Sequence, residues 1–153
     1  MAIELSTAGI SVKWACESTA GTRPTSGYTA IPGVKSIPDL NPEPAQLDVT
    51  PLDETKYHRY IPGLQDLGGS IGLTCNYYAD LITGWGNMVT AYATAKAAGK
   101  ALWIEIAIPG QNSWYFEAVP TPLGFGGAEV DSVLETTAYL TINSAPTSAT
   151  ASS

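Results

Sequence analysis

The sequence predicts a mainly β protein with one α-helix. Along most of the chain, apolar residues alternate with polar ones at period two, the mark of strands with one buried face. In one segment the spacing changes to three and four, the mark of an amphipathic helix. The 15 glycines and 11 prolines supply the turns that so many short strands need.

The elements follow in order. Ile10, Val12, Trp14 and Cys16 alternate with Ser11, Lys13 and Ala15, which predicts a first strand. Glu17 to Gly27, ESTAGTRPTSG, is a polar, turn-rich loop. A second strand is expected from Tyr28 to Ile37, with Pro32 marking an edge or a bulge. The prolines of IPDLNPEP (37–44) lack amide donors and restrain their predecessors, which excludes helix there. Ala45, Leu47 and Val49 predict a third half-buried strand, and Ile71, Leu73, Cys75 and Tyr77 a fourth. Leu81, Trp85, Met88, Val89, Tyr92 and Ala95 then share one helical face, predicting a packing helix from about Leu81 to Ala98. Asp80 is placed to cap its start, Gly99 to close its end, and Lys96 and Lys100 lie near the negative end of its dipole. Leu102, Ile104, Ile106 and Ile108 form the next strand, and Trp114, Phe116 and Ala118 another. PTPLGFGG turns the chain, and Val130, Leu134, Ala138, Leu140 and Ile142 are expected on one face of a long last strand. One domain is expected over residues 1–143, with a flexible Ser/Thr/Ala-rich tail at 144–153.

Composition narrows the function. Charged residues make up only 14% of the 153-residue chain, against about 25% in an average globular domain. A monomer with so few charges covers its surface poorly, so much of that surface is expected to meet other protein. The net charge of −7 argues against wrapping nucleic acid, which needs Lys and Arg. The opening residues hold neither a basic n-region nor an apolar h-region, so no secretory leader is expected; no apolar run suits a membrane span. Cys16 and Cys75 lie on apolar strand faces without metal-ligand spacing, and free thiols are expected. From Ala101 onward there is no Lys or Arg, and the five acidic residues Glu105, Glu117, Glu129, Asp131 and Glu135 fall opposite the aliphatic positions. That pattern predicts an uncompensated acidic face that repels anions, with a plain solvated face as the simpler alternative.

Catalytic chemistry finds little support. His58 is the only imidazole and sits in KYHRY, between Lys56 and Arg59, with few apolar anchors to hold a general base in place. Asp53 and Glu54 are adjacent, whereas paired glycosidase carboxylates flank a bond from separate elements. GxSxG, P-loop, GxGxxG and HExxH patterns are absent, and Asp48, Asp53 and Asp66 match no calcium loop. No enzyme activity, metal or cofactor is expected.

The segment GVKSIPDLNPEPAQLDVTPLDETKYHRYIPGLQDLGG resembles the tail tube proteins of long-tailed, siphovirus-type bacteriophages. The shared order is a strand, an IP-L turn, a DVT-LD strand and a loop closing on YIPGL-D-G; the later helix and the LWIEIAIP strand also fit. The resemblance spans about Thr7 to Ile142. It implies a β-sandwich or barrel with one flanking helix and a long extended loop, a fold shared with the type VI secretion tube. It also implies hexameric rings of self-copies stacked into a virion tube that conducts DNA without specific binding. Tape measure, tail terminator and distal tail proteins would be the other partners, and synthesis would be in the host cytoplasm. Asp53, Glu54, Lys56, Tyr57, His58, Arg59 and Tyr60 would then form an inter-subunit loop. Two tyrosines supply rigid amphipathic contact area there, and mixed charges fix register. The five carboxylates of the acidic face would line the lumen. Two other readings share the β core: a head-tail completion or decoration protein, or a carbohydrate-binding β-sandwich that stacks sugars on Trp14, Trp85, Trp103 or Trp114.

Overall fold

The computed structural model describes residues 4–41, 43–66 and 69–152. Ten strands and one helix follow in chain order: β1 (Ser11–Cys16), β2 (Thr29–Ala30), β3 (Val34–Ser36), β4 (Glu43–Asp48), β5 (Tyr60–Asp66), β6 (Ser70–Asn76), α1 (Ala79–Ala97), β7 (Leu102–Ala107), β8 (Ser113–Pro120), β9 (Glu135–Ile142) and β10 (Thr147–Ala149). Eight strands form one sheet in the order β2-β1-β7-β8-β9-β6-β3, with β10 attached to β8. Among the described residues, β4 and β5 pair only with each other.

A short connection sets the shape. β2 and β3 lie at opposite ends of the sheet order, yet only Ile31, Pro32 and Gly33 separate them. So few residues span at most about 14 Å when fully extended. The two edges must approach each other, and the sheet curls into a half-barrel. The connection is bonded to both sides. The Ile31 amide donates to Val12 O of β1 at 2.8 Å, and Gly33 O accepts from the Asn76 amide at the end of β6 at 2.9 Å. Ile31 itself is buried in the core. Gly33 adopts φ +77°, and a Cβ there would stand 2.6 Å from the Tyr78 ring. A side chain is disfavoured on both counts.

The concave face holds the core. Val12, Leu73, Cys75, Leu102, Ile104, Phe116, Ala118 and Leu140 are buried there, as the period-two pattern requires. α1 fills the open side against β1 and β8. Leu81, Trp85 and Met88 are buried, Tyr92 is half-buried, and the Trp85 indole donates to Thr121 O at 2.8 Å. The helix ends in a Schellman pair: the Gly99 amide donates to Lys96 O at 3.0 Å and the Lys100 amide to Ala95 O at 2.8 Å. Gly99 has φ +72°.

Five expectations need correction. The strand expected over Tyr28–Ile37 is two short strands on opposite sheet edges. The third strand, with Ala45 and Leu47, leaves the core and forms half of the separate β4–β5 hairpin. The long last strand begins only at Glu135, and Val130 lies exposed in the preceding loop. Asp80 sits inside the first turn, whereas the N-cap is Tyr78, which makes no side-chain cap bond. The tail is not wholly loose: Thr147–Ala149 adds β10 to β8 in register with Ser113–Tyr115.

The Gly33→Ala variant is expected to lose about 1–2 kcal/mol through the left-handed backbone alone, read as a lower urea midpoint. An unchanged midpoint would show that the connection between the sheet edges is not under this constraint.

Candidate functional site

The β4–β5 hairpin is the outstanding feature of the surface. Its strands pair from Glu43↔Asp66 to Asp48↔Tyr60, with a register shift between Pro44 and Gln46. The residues between them form a tip fastened from within. Asp48 accepts from the Thr50 hydroxyl at 2.6 Å and the Thr50 amide at 2.9 Å. Thr50 Oγ1 in turn accepts from the Arg59 amide at 2.7 Å. The Thr50 bonds, with a smaller contribution from nearby His58, hold the Asp48 carboxyl below its usual range. Glu54 accepts from the Lys56 amide at 3.1 Å and the Thr55 amide at 3.0 Å, and pairs with Arg59 at 3.2 Å. The Lys56 amide bond comes first among the bonds lowering the Glu54 pKa, against a smaller opposing effect of desolvation. His58 Nδ1 stands 3.5 Å from Asp48 Oδ2. Its ring is exposed, and its Nδ1 also stands 3.5 Å from the Thr50 hydroxyl, whose proton is directed to Asp48.

These bonds order the tip without hiding it. Tyr57 is 76% exposed and Leu64 is 92% exposed. Leu47, Val49, Leu52, Tyr60 and Ile61 are also exposed. A two-stranded hairpin alone in water is only marginally stable, and one with apolar groups on both faces is a surface that calls for a partner. The seven predicted loop residues therefore lie together on an arm: Asp53, Lys56, Tyr57, His58, Arg59 and Tyr60 are exposed, and Glu54 is half-buried against the tip amides.

The five carboxylates expected on one acidic face do not stay together. Glu105 is the clearest correction, because it is fully buried at 0% exposure. The Tyr115 O–H faces its Oε2 at 2.5 Å and the Thr150 carbonyl at 2.9 Å. The Ser152 amide and hydroxyl donate to its two oxygens at 2.9 and 2.8 Å. Arg23 lies over the Tyr115 ring with Cζ 4.1 Å from the centroid. Burial works to raise the Glu105 pKa, but the bonds from Tyr115 and then Ser152 outweigh it, and the carboxyl stands below its ordinary range. Glu135 forms an ion pair with Lys35. Glu117 is half-buried on β8. Glu129 and Asp131 are exposed, but on the loop 121–134 rather than on a strand. The face is not uncompensated either. The antiparallel register sets Lys13 of β1 opposite Glu105, and β3 brings Lys35 to the start of β9.

Two further features had no signal in the sequence. Glu17, 5% exposed, accepts from the Ala101 amide at 2.9 Å, the Trp103 indole at 2.9 Å and the Gly21 amide at 3.1 Å. It ties the β1–β2 loop to the start of β7. The loop 121–134 leaves Phe125, Val130 and Val133 exposed, with Gly126 so close to β9 that a Cβ would meet Glu135 O at 2.4 Å. Of the four tryptophans, Trp85 is buried and offers no stacking platform, Trp14 is half-buried against the core, Trp103 is half-buried with its indole N–H bonded to Glu17, and Trp114 is exposed. Cys16 and Cys75 are free thiols, and burial raises the pKa of both, that of Cys75 to about 11. Among the described residues, no three His, Cys, Asp or Glu side chains gather to hold a metal, and no helix is long and apolar enough to cross a membrane.

The mainly β, one-helix half-barrel is a fold found in phage-derived particles. A chain of the 6-fold symmetrised anti-feeding prophage baseplate matches at TM-score 0.65 and 12% identity, covering 98% of each chain. A chain of the native gene transfer agent virion matches at TM-score 0.57 and 9% identity, covering 95% of this chain and 99% of that one. A chain of the anti-feeding prophage tube-terminating cap matches at TM-score 0.57 and 17% identity, covering 99% and 94%. No family model and no curated protein matches the sequence.

The Glu105 contacts predict a specific pH dependence. A carboxylate with a lowered folded pKa stabilises the fold above its unfolded pKa, and that stability is lost as pH falls through the folded value. Glu105→Ala is therefore expected to cost about 2 kcal/mol at pH 7. The difference from the parent should shrink well below the ordinary glutamate pKa of about 4.3. Urea melts at pH 7 and pH 3 read it, and a difference independent of pH would contradict the assignment.

Proposed function

We propose that this chain is a structural subunit of a phage-type tail, assembling with its own copies into sixfold rings that stack into a tube. The observation that carries this reading is the β4–β5 arm, which is ordered by its own hydrogen bonds yet leaves its apolar side chains without a partner. The low charge of the chain supports it, since an assembled subunit needs less polar surface. So does the shared fold with chains of the anti-feeding prophage baseplate, its tube-terminating cap and a gene transfer agent virion. In such a particle the arm is the inter-subunit element. The other contacts of the tube would be with a tape measure within it and with terminator and distal proteins at its ends. DNA would pass through the bore without being held. Of the five carboxylates, Glu117, Glu129 and Asp131 are accessible enough to face either a bore or a neighbouring subunit.

A second reading keeps the assembly but ends it after one ring, as a cap or baseplate component would. The likeness to a cap chain and a baseplate chain favours it specifically. Negative-stain imaging of concentrated protein separates the two: tubes of variable length support the first, single rings the second. Tyr57→Ala with Leu52→Ala should abolish either assembly while leaving the unfolding free energy from urea melts within about 0.5 kcal/mol of the parent, as for exposed positions generally. A strictly monomeric parent protein at high concentration would overturn both readings.

A further inference from the structure

The partner of the arm can be sought on the same molecule. β6 and β9 pair from Ser70↔Thr141 to Asn76↔Glu135. Six steps of that ladder span about 20 Å. The arm precedes β6 and joins the body at the Ser70 end. The loop 121–134 closes on β9 at the opposite end, where Leu134 O accepts from the Tyr77 amide at 3.0 Å. The root of the arm and the return of the 121–134 loop to the sheet therefore sit at opposite ends of one strand pair.

Their chemistry is complementary. The arm tip carries Asp53 and Glu54 ahead of Thr55, and from Thr55 to Tyr60 it carries Lys56, His58 and Arg59 and no acid. Arg59 is engaged with Glu54, whereas Lys56 has no ion-pair partner among the described residues. The loop 121–134 carries Glu129 and Asp131 and no base. Each surface pairs its charge with open apolar groups: Leu52 and Tyr57 on the arm, Phe125 and 91%-exposed Val130 on the loop. A loop-to-loop contact would set carboxylates together, and an arm-to-arm contact would close a pair of copies while leaving the apolar groups of both loops open. Like charges across an interface disfavour the first. Joining unlike surfaces at opposite ends of a molecule gives a heterologous contact, the kind that closes rings or propagates stacks.

We infer that the arm tip of one copy seats on the 121–134 loop of a second copy, head to tail. This rests on the assembly reading above and names the surface that receives the arm. The tip contributes the aromatic anchor Tyr57 and the free cation Lys56. The loop contributes the apolar bed of Phe125 and Val130 and the anion Glu129.

Photocrosslinking tests it. Tyr57→p-benzoylphenylalanine is irradiated in assembled protein, and the adducts are mapped by mass spectrometry; Thr55→p-benzoylphenylalanine serves if the first variant does not assemble. Inter-chain adducts within residues 121–134 are expected. Adducts confined to other segments, or none in particles visible by negative stain, would overturn the inference and leave the assembly reading standing. A charge exchange gives an independent readout. Lys56→Glu and Glu129→Lys should each raise the protein concentration needed for assembly about threefold, the scale of an exposed ion pair, and the double variant should restore it. No rescue, with each single variant neutral, would also overturn it. A parent protein that never assembles would remove both the inference and the reading beneath it.

Discussion

The three residues between β2 and β3 hold the rest of the structure in place. Ile31, Pro32 and Gly33 bring the two ends of the sheet order together, and each end is hydrogen-bonded to that connection. Once the edges are joined, the sheet must curl, and the curl leaves a concavity of limited width. One helix fills it. Pro32 lies against Gly84 of α1, where an added Cβ would stand 3.3 Å from the proline ring, so the same connection also positions the helix. Trp85, one residue further along, then bonds to Thr121 as the chain leaves β8.

Pairing of β3 with β6 leaves no place between them for a further strand. β4 and β5 lie between β3 and β6 in the chain, yet the curled sheet places β3 directly beside β6. The intervening segment is excluded from the ladder and pairs with itself. Its alternating apolar residues then have no core to enter. Exposure of the arm is thus a consequence of the closure and not of a weak hydrophobic pattern. A rigid body with a self-ordered apolar projection is suited to repeated contact between copies, because little of the arm must be ordered when it binds.

The legibility of the sequence followed the range of the interactions. The helix read correctly because its face and its glycine stop are local, and the Leu102, Phe116 and Leu140 strands because each buries one regular face. β2 and β3 were missed because two or three residues carry no period. Ala45, Leu47 and Val49 read as a core strand because alternation is the same whether a face meets a core or a neighbour. Glu105 lies on the face the pattern assigned to it, but its cover comes from Tyr115 and the last residues of the chain. A compositionally plain tail gives no sign of that. The placing of Asp53 to Tyr60 together on one loop came from the resemblance to tail tube proteins, with the tyrosines and mixed charge in support, and no local period pointed to it. The loop 121–134 was not legible, since Val130 and Leu134 matched a strand period that their glycine-rich approach overrides.

Amide hydrogen exchange across a concentration series tests the central claim most directly: that the arm is folded but unpartnered in the single chain and becomes covered when copies assemble. In dilute protein, the amides of β4, β5 and the tip should exchange quickly while those of β6, β7 and β9 stay protected. At assembling concentrations, arm protection should rise by at least about tenfold, which corresponds to about 1.4 kcal/mol, with the sheet unchanged. Arm amides equally protected at both concentrations, or equally unprotected in visible assemblies, would contradict the account.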